Sequence, residues 1–137
     1  MTNSANPISQ LTVDEAWQLI EVAQIGRIAS ARDGLPDIFP INYVVFDRAI
    51  YFRTAAESRL RTECDDRAIA FESAWQMSDS AWSVVILGTL RTLTTDADQQ
   101  ILNRLPILDF APERPYVWMR VTPTDVRGRR YRLTDSK

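Results

Sequence analysis

The chain contains no histidine. That absence removes a Ser-His-Asp or Cys-His nucleophilic centre, a histidine acid or base, and most transition-metal sites. There is one cysteine, Cys64, so an intrachain disulfide framework and a cysteine-based zinc site are excluded too. Lys137 is the sole lysine, and every other basic residue is arginine. No GxGxxG and no Walker loop occurs, which leaves a dinucleotide or a nucleoside triphosphate without its usual backbone cradle. No apolar run approaches the roughly 20 residues of a membrane span. The N-terminal MTNSANPISQ lacks the basic and apolar regions of a signal peptide. A soluble cytoplasmic protein with no metal is the expectation.

What is present suffices for one domain. A chain of 137 residues can bury roughly two-thirds of its unfolded surface without covalent staples. Net charge is −2, so the chain as a whole is not an electrostatic glove for nucleic acid. Arg127, Arg129, Arg130 and Arg132 form a basic cluster, with Tyr131 the lone aromatic within it. It reads as a solvated terminal strand or a dimer contact. Cys64 lies among Glu63, Asp65 and Asp66, whose charges favour the protonated, unreactive thiol.

Residues 1–10 read as a loose tail and 11–137 as a single domain. Thr12 and Glu15 form a capping box ahead of Val13, Ala16, Trp17, Ile20 and Ala23, and Gly26 is a candidate stop for that helix. The period then changes to two. Ile28–Ala31 is a short strand, and Asp33-Gly34 signals a hairpin turn. Asp37–Phe46 is apolar on both faces and is expected to be buried on both. Pro40 cannot donate to a ladder, so the sheet should be open or bulged there. After a turn at Asp47-Arg48 come a strand over Ile50–Thr54 and a short helix over Ser58–Asp65. Further strands are expected at Ala68–Trp75, Trp82–Leu93 and Tyr116–Thr122, with an extended piece at Arg127–Leu133. Thr94-Thr95-Asp96 can cap another short helix, and Pro106–Pro115 reads as irregular. The sum is an α+β domain built as a mainly antiparallel six-stranded β-barrel with two or three short helices.

The stretch from Ile38 to Leu60 carries the chemistry. Arg53 and Thr54 end a strand, and Ser58 and Arg59 open the next helix. Two guanidinium groups, two hydroxyls and unpaired backbone N–H groups in one neighbourhood suit a single phosphate. The competing reading is that the arginines pair with Glu57, Glu63 or Asp65. Asn42, polar within an apolar row, can meet a ligand or satisfy a backbone group near Pro40.

Several pieces occur in a particular order: Gly26-Arg27, Phe39-Pro40-Ile41-Asn42-Tyr43, Phe52-Arg53-Thr54, Ser58-Arg59-Leu60, Trp82-Ser83-Val84-Val85 with Gly88, and Val126-Arg127-Gly128-Arg129-Arg130. Together they resemble the pyridoxamine 5′-phosphate oxidase-like family of FMN-binding split barrels, from Leu11 to Arg130. The resemblance implies a Greek-key split barrel and a homodimer with FMN at its interface. It implies that the phosphate sits among Arg53, Thr54, Ser58 and Arg59, and that the flavin lies along Pro40, Ile41, Asn42 and Tyr43. Trp82 and Ser83 then lie near the ring or the partner chain. The implied function is an FMN-dependent oxidoreductase passing electrons from a nicotinamide cofactor to a small-molecule acceptor. No side chain is singled out as catalytic. The alternatives are a reductase using the deazaflavin F420 and a non-catalytic flavin- or haem-binding module.

Overall fold

The computed structural model describes residues 7–106 and 115–133. The elements run β1 (Ile8–Gln10), α1 (Val13–Ala23), β2 (Ile25–Arg32), β3 (Leu35–Phe46), β4 (Ala49–Ala55), α2 (Arg59–Cys64), β5 (Arg67–Gln76), β6 (Ser80–Thr92), α3 (Asp96–Leu102) and β7 (Tyr116–Arg132). The hydrogen-bonded order is β1-β7-β4-β3-β2-β5-β6, and β6 also pairs with β7. Strands β2 to β7 therefore close a six-stranded antiparallel barrel, and β1 adds a seventh strand to the rim of β7. Residues 8–10, expected in the loose tail, form β1: Ile8, Ser9 and Gln10 pair with Tyr131, Arg130 and Arg129. Residues 1–6, and the irregular segment expected between Pro106 and Pro115 at 107–114, lie outside the described residues.

Local chemistry explains most element ends. Thr12 N–H donates to Glu15 Oε1 at 2.8 Å, and Glu15 N–H donates to Thr12 Oγ1 at 3.1 Å, which is the expected capping box. The helix ends earlier than Gly26 suggests, at Gln24, whose φ of 66° stops it. Gly26 instead lies in β2, where a Cβ would stand 2.7 Å from the Phe71 ring and 2.8 Å from the Glu72 carbonyl oxygen. Its requirement is close approach of β5, not chain reversal. Both hairpin turns hold as read. Asp33 and Gly34 take φ of 52° and 77°, and Asp47 and Arg48 reach 49° and 54° without any glycine.

The two terminal extended pieces are one strand of 17 residues, β7. Pro123 and Thr124 do not break it, because the β6–β7 register shifts between Leu87 and Gly88, which faces Pro123. The bulge leaves Thr124 without a register partner and sets Pro123, which lacks a donor, beside the irregularity.

Inside the barrel, Ile28, Ile50, Phe52, Phe71, Val84, Ile86, Leu90, Met119 and Val121 are fully buried, and α1 adds Ala16, Trp17 and Ile20. A second apolar cluster forms outside it, where α3 brings Ile101, Leu102 and Leu105 against Val44, Ala49, Tyr51, Leu93 and Trp118. Burial of β3 on both faces is confined to its second half. Val44 is covered by the second cluster, but Ile38 is 59% exposed, because no element among the described residues covers the outer face of the first half. No helix among the described residues is long and apolar enough to cross a membrane.

Asp98 anchors α3. It receives Arg91 through both carboxylate oxygens, at 3.1 and 3.2 Å, and accepts the backbone N–H of Thr94 at 2.9 Å and of Thr95 at 3.1 Å. Arg91, then these N–H groups, hold its pKa well below the usual carboxylate range despite burial. A depressed folded-state pKa gives stability that is complete above the unfolded-state value and is lost as pH falls through the folded one. Asp98→Ala should therefore lower stability at neutral pH by about 2–3 kcal/mol. Urea melts should show the difference between variant and wild type shrinking as pH drops below about 4. A pH-independent difference would overturn this account of α3.

Candidate functional site

The barrel is split at one place. β2 pairs along its whole length with β3, from Leu35 with Arg32 to Asn42 with Ile25. β3 pairs with β4 only from Tyr43–Phe52 to Phe46–Ala49. Beyond Phe52, β4 keeps only its β7 edge, with Arg53 beside Trp118, Thr54 beside Val117 and Ala55 beside Tyr116. The first half of β3 thus has β2 on one edge and no paired strand on the other among the described residues. Pro40 sits in this open half without a register shift, and it has no N–H to leave unsatisfied there. The opening expected at Pro40 is present on the β4 side.

At the mouth of the split stand three of the predicted phosphate residues. Ser58 is the N-cap of α2, and its Oγ accepts Arg61 N–H at 3.2 Å. Thr54 Oγ1 lies 2.8 Å from Ser58 Oγ. Arg59 reaches across to β3, donating to Asp37 Oδ2 at 2.6 Å, and lies 3.4 Å from Glu63 Oε2. Glu63 first, then Asp37, raise its already high pKa. The alternative pairing read from the sequence is therefore realised for Arg59, whose side chain is still 69% exposed.

Arg53 is placed elsewhere. Strand alternation puts Phe52 and Thr54 on the barrel side of β4 and Arg53 on the outer side with Tyr51. Its guanidinium lies 5.3 Å from the Tyr116 ring centre and 5.4 Å from that of Trp118. The structure brings Thr54, Ser58 and Arg59 together and sets the Arg53 side chain on the opposite face.

Along β3, Ile41 and Tyr43 point into the core, and Pro40 is exposed. Asn42 Nδ2 donates to the Gln24 carbonyl at 3.0 Å, so it satisfies the backbone at the end of α1. The Tyr43 hydroxyl donates to the Ile20 carbonyl at 2.7 Å and lies 3.3 Å from Ser73 Oγ, which donates to the Ile25 carbonyl at 2.8 Å. Burial pushes the tyrosine pKa up to about 12. Tyr43 is thus a core residue whose side chain does not face the split. Trp82 is 5% exposed and belongs to the core. Ser83 lines a cleft of about 430 Å³ with Val85, Arg127, Arg129 and Tyr131. Both are on β6, with β2 and β5 between them and β3.

Sequence reading missed two features. Asp37, which clamps Arg59, looks in the sequence like an ordinary turn-flanking acid. The second is a cross-strand row on the outer face: Ile38 faces Ala29, Ala29 faces Ala70, and Ala70 faces Leu87. Beside that row Arg27 Nη2 lies 2.5 Å from Glu72 Oε1. Its only sequence signal is small or apolar residues on the face where an exposed strand carries polar ones. No cluster of three or more Cys, Asp or Glu suited to a metal ion occurs among the described residues.

A closed antiparallel barrel, opened between two strands beside a short capped helix, defines the class as an α+β split barrel. Residues 12–130 match the family described as pyridoxamine 5′-phosphate oxidase, and the chain belongs to that family. An uncharacterised protein of Mycobacterium tuberculosis is 30% identical over 90 residues, which cover 66% of this chain and 82% of that protein. The solved structure of the FAD binding protein from Mycobacterium smegmatis superposes with a TM-score of 0.85 at 33% identity, covering 92% of this chain and 100% of that one. A FAD-binding protein from Mesorhizobium loti shares the fold at a TM-score of 0.71 and 18% identity, over 90% of this chain and 97% of that one.

Cys64 is fully buried in α2, and its thiol pKa is raised mainly by burial, with Glu63 and Asp37 adding to it. The direction matches the sequence reading, but the leading cause is desolvation more than neighbouring charge. A thiol reagent such as a disulfide dye should leave the folded protein unmodified over hours and label it rapidly in denaturant. Stoichiometric labelling of the folded protein within minutes would contradict this placement.

Proposed function

We propose that this chain is a flavin-binding oxidoreductase that acts as a homodimer and passes electrons from a nicotinamide cofactor to a small-molecule acceptor. The observation that carries the reading is the β3–β4 split, with Thr54, Ser58 and Arg59 at its mouth and the exposed strand from Ile38 to Pro40 beside it. A phosphate there can take a charge-assisted bond from Arg59 and neutral bonds from the two hydroxyls. The residues fit the phosphate end of FMN without rearranging the backbone, whereas Arg53 contributes through its side chain only by leaving the rings of Tyr116 and Trp118. The similar Mycobacterium smegmatis protein, named for binding FAD, supports a flavin as the cofactor.

The homodimer rests on the outer face. Ile38, Ala29, Ala70 and Leu87 form an apolar row across four strands, and Ile38 and Leu87 are exposed within one chain. Such a face is stable in water when a second surface covers it. Trp82 and Ser83 lie too far around the barrel to join the split of their own chain, so Ser83 reaches a flavin only across such an interface.

When bound, the flavin supplies the two-electron chemistry, and the protein supplies binding and field. Arg59 holds charge at every working pH, and the apolar β3 strand excludes water from one side of a flat ligand.

The test is the absorbance spectrum and mass of the small molecule that co-purifies, with FMN, FAD and F420 titrations of the apoprotein. FMN or FAD should bind, and NADH or NADPH should bleach it without oxygen. Ser58→Ala combined with Arg59→Ala should weaken flavin binding at least tenfold, given about 1.5–3 kcal/mol per charge-assisted bond. Ile38→Glu should yield monomers by light scattering and lose flavin with them. Unchanged flavin affinity in the double variant overturns the phosphate seat. Tight F420 binding without flavin binding assigns the protein to the deazaflavin alternative, and stoichiometric flavin that no donor reduces makes it a carrier.

A further inference from the structure

A second cavity lies at the far end of β3 and β4 from the split. It has a volume of about 690 Å³ and is bounded by the Asp47-Arg48 turn, the end of α3 and the middle of β7. A volume of this order suits one small organic molecule. Phe46, Tyr51 and Ile101 give it an apolar lining, and Arg104 and Arg120 give it charge.

The two arginines are what need explaining. Arg91, next to Arg120 across the β6–β7 ladder, is neutralised by Asp98, and Arg48 on the turn is paired with Asp14. Arg104 and Arg120 form no ion pair among the described residues. Arg104 stands 5.5 Å from the ring centre of Phe46, on the cavity wall. Arg120 is held between Tyr51 of β4 and Arg91 of β6, and its Nε is buried without a hydrogen-bond partner. Asp47 also borders the cavity, and it leaves the two guanidinium groups in excess over the carboxylate.

We propose that this cavity binds a small organic anion, a carboxylate or phosphate monoester on a flat apolar body. Arg120 meets the anionic group from below and Arg104 from the rim, while Phe46 and Tyr51 flank the body. The arrangement separates charge from apolar surface, so the anionic group and the flat body are each recognised. The site shares no residue with the β3–β4 split and is independent of the flavin reading.

Benzoate, phenyl phosphate, inorganic phosphate and the neutral isostere benzamide serve as probes in calorimetry and thermal melts of the full chain. Benzoate or phenyl phosphate should bind with a dissociation constant of about 1 mM or tighter, and benzamide at least tenfold more weakly. Their ratio tells a carboxylate site from a phosphate site. Arg120→Met keeps the volume of the side chain and should abolish binding. Arg104→Gln, at an exposed position where folding is not at stake, should weaken it several-fold. Both variants should keep the far-ultraviolet circular dichroism and cooperative melting of the wild type, which report an intact fold. Benzamide binding as well as benzoate, probe affinity unchanged in either arginine variant, or no binding of either anion at 10 times that concentration would each overturn the proposal.

Discussion

A strand has two edges, and β7 uses its own twice over. One edge carries β6 along most of its length; the other carries β4 from Tyr116 to Val121 and then β1 from Arg129 to Tyr131. This strand closes the barrel. β4 keeps β7 on one edge from Ile50 to Ala55, but its other edge leaves β3 at Phe52, while β3 stays with β2 up to Asn42. The candidate site is the space left by that division of backbone hydrogen bonds. Pro40 is tolerated in the open half because the missing donor has no ladder to break.

Charge at the split is arranged around Arg59. Asp37 and Glu63 hold it in position, and its exposed guanidinium still faces solvent. An exposed pair of this kind contributes little to folding, so its value is orientation. Asp37 belongs to β3 and Arg59 to α2, so the pair joins the two strands' sides where the ladder does not. A phosphate arriving there meets a cation already held in place, at the cost of competing with two carboxylates.

Features set by neighbours in sequence were legible. The capping box at Thr12, the helix starts near Ser58 and Thr95 and the turns at Asp33 and Asp47 each depend on a few consecutive residues, and each was found where expected. Features set by distant partners were not. β1 is a strand only because β7 offers an edge, and Pro123 interrupts nothing only because Gly88 stands opposite a bulge. Gly26 looks like a helix stop until Phe71 is seen against it. The grouping of Thr54, Ser58 and Arg59 was legible because its ends lie five positions apart. The orientation of Arg53 depends on aromatic residues more than sixty positions away. The Arg104–Arg120 cavity joins α3 to β7 and has no local signature at all.

The missing histidines have a consequence that reaches both cavities. No side chain of this sequence has an ordinary pKa between about 5 and 8. Cys64, the side chain nearest above that window, moves away from it through burial, and burial pushes Tyr43 up to about 12. Asp98 moves away below it. The charges that face the split and the second cavity are arginines and carboxylates, fixed in sign across the physiological range. A ligand bound at either place would meet a constant field. Any response to pH in that range must come from a ligand's own ionisation, which a fixed guanidinium shifts toward the anion.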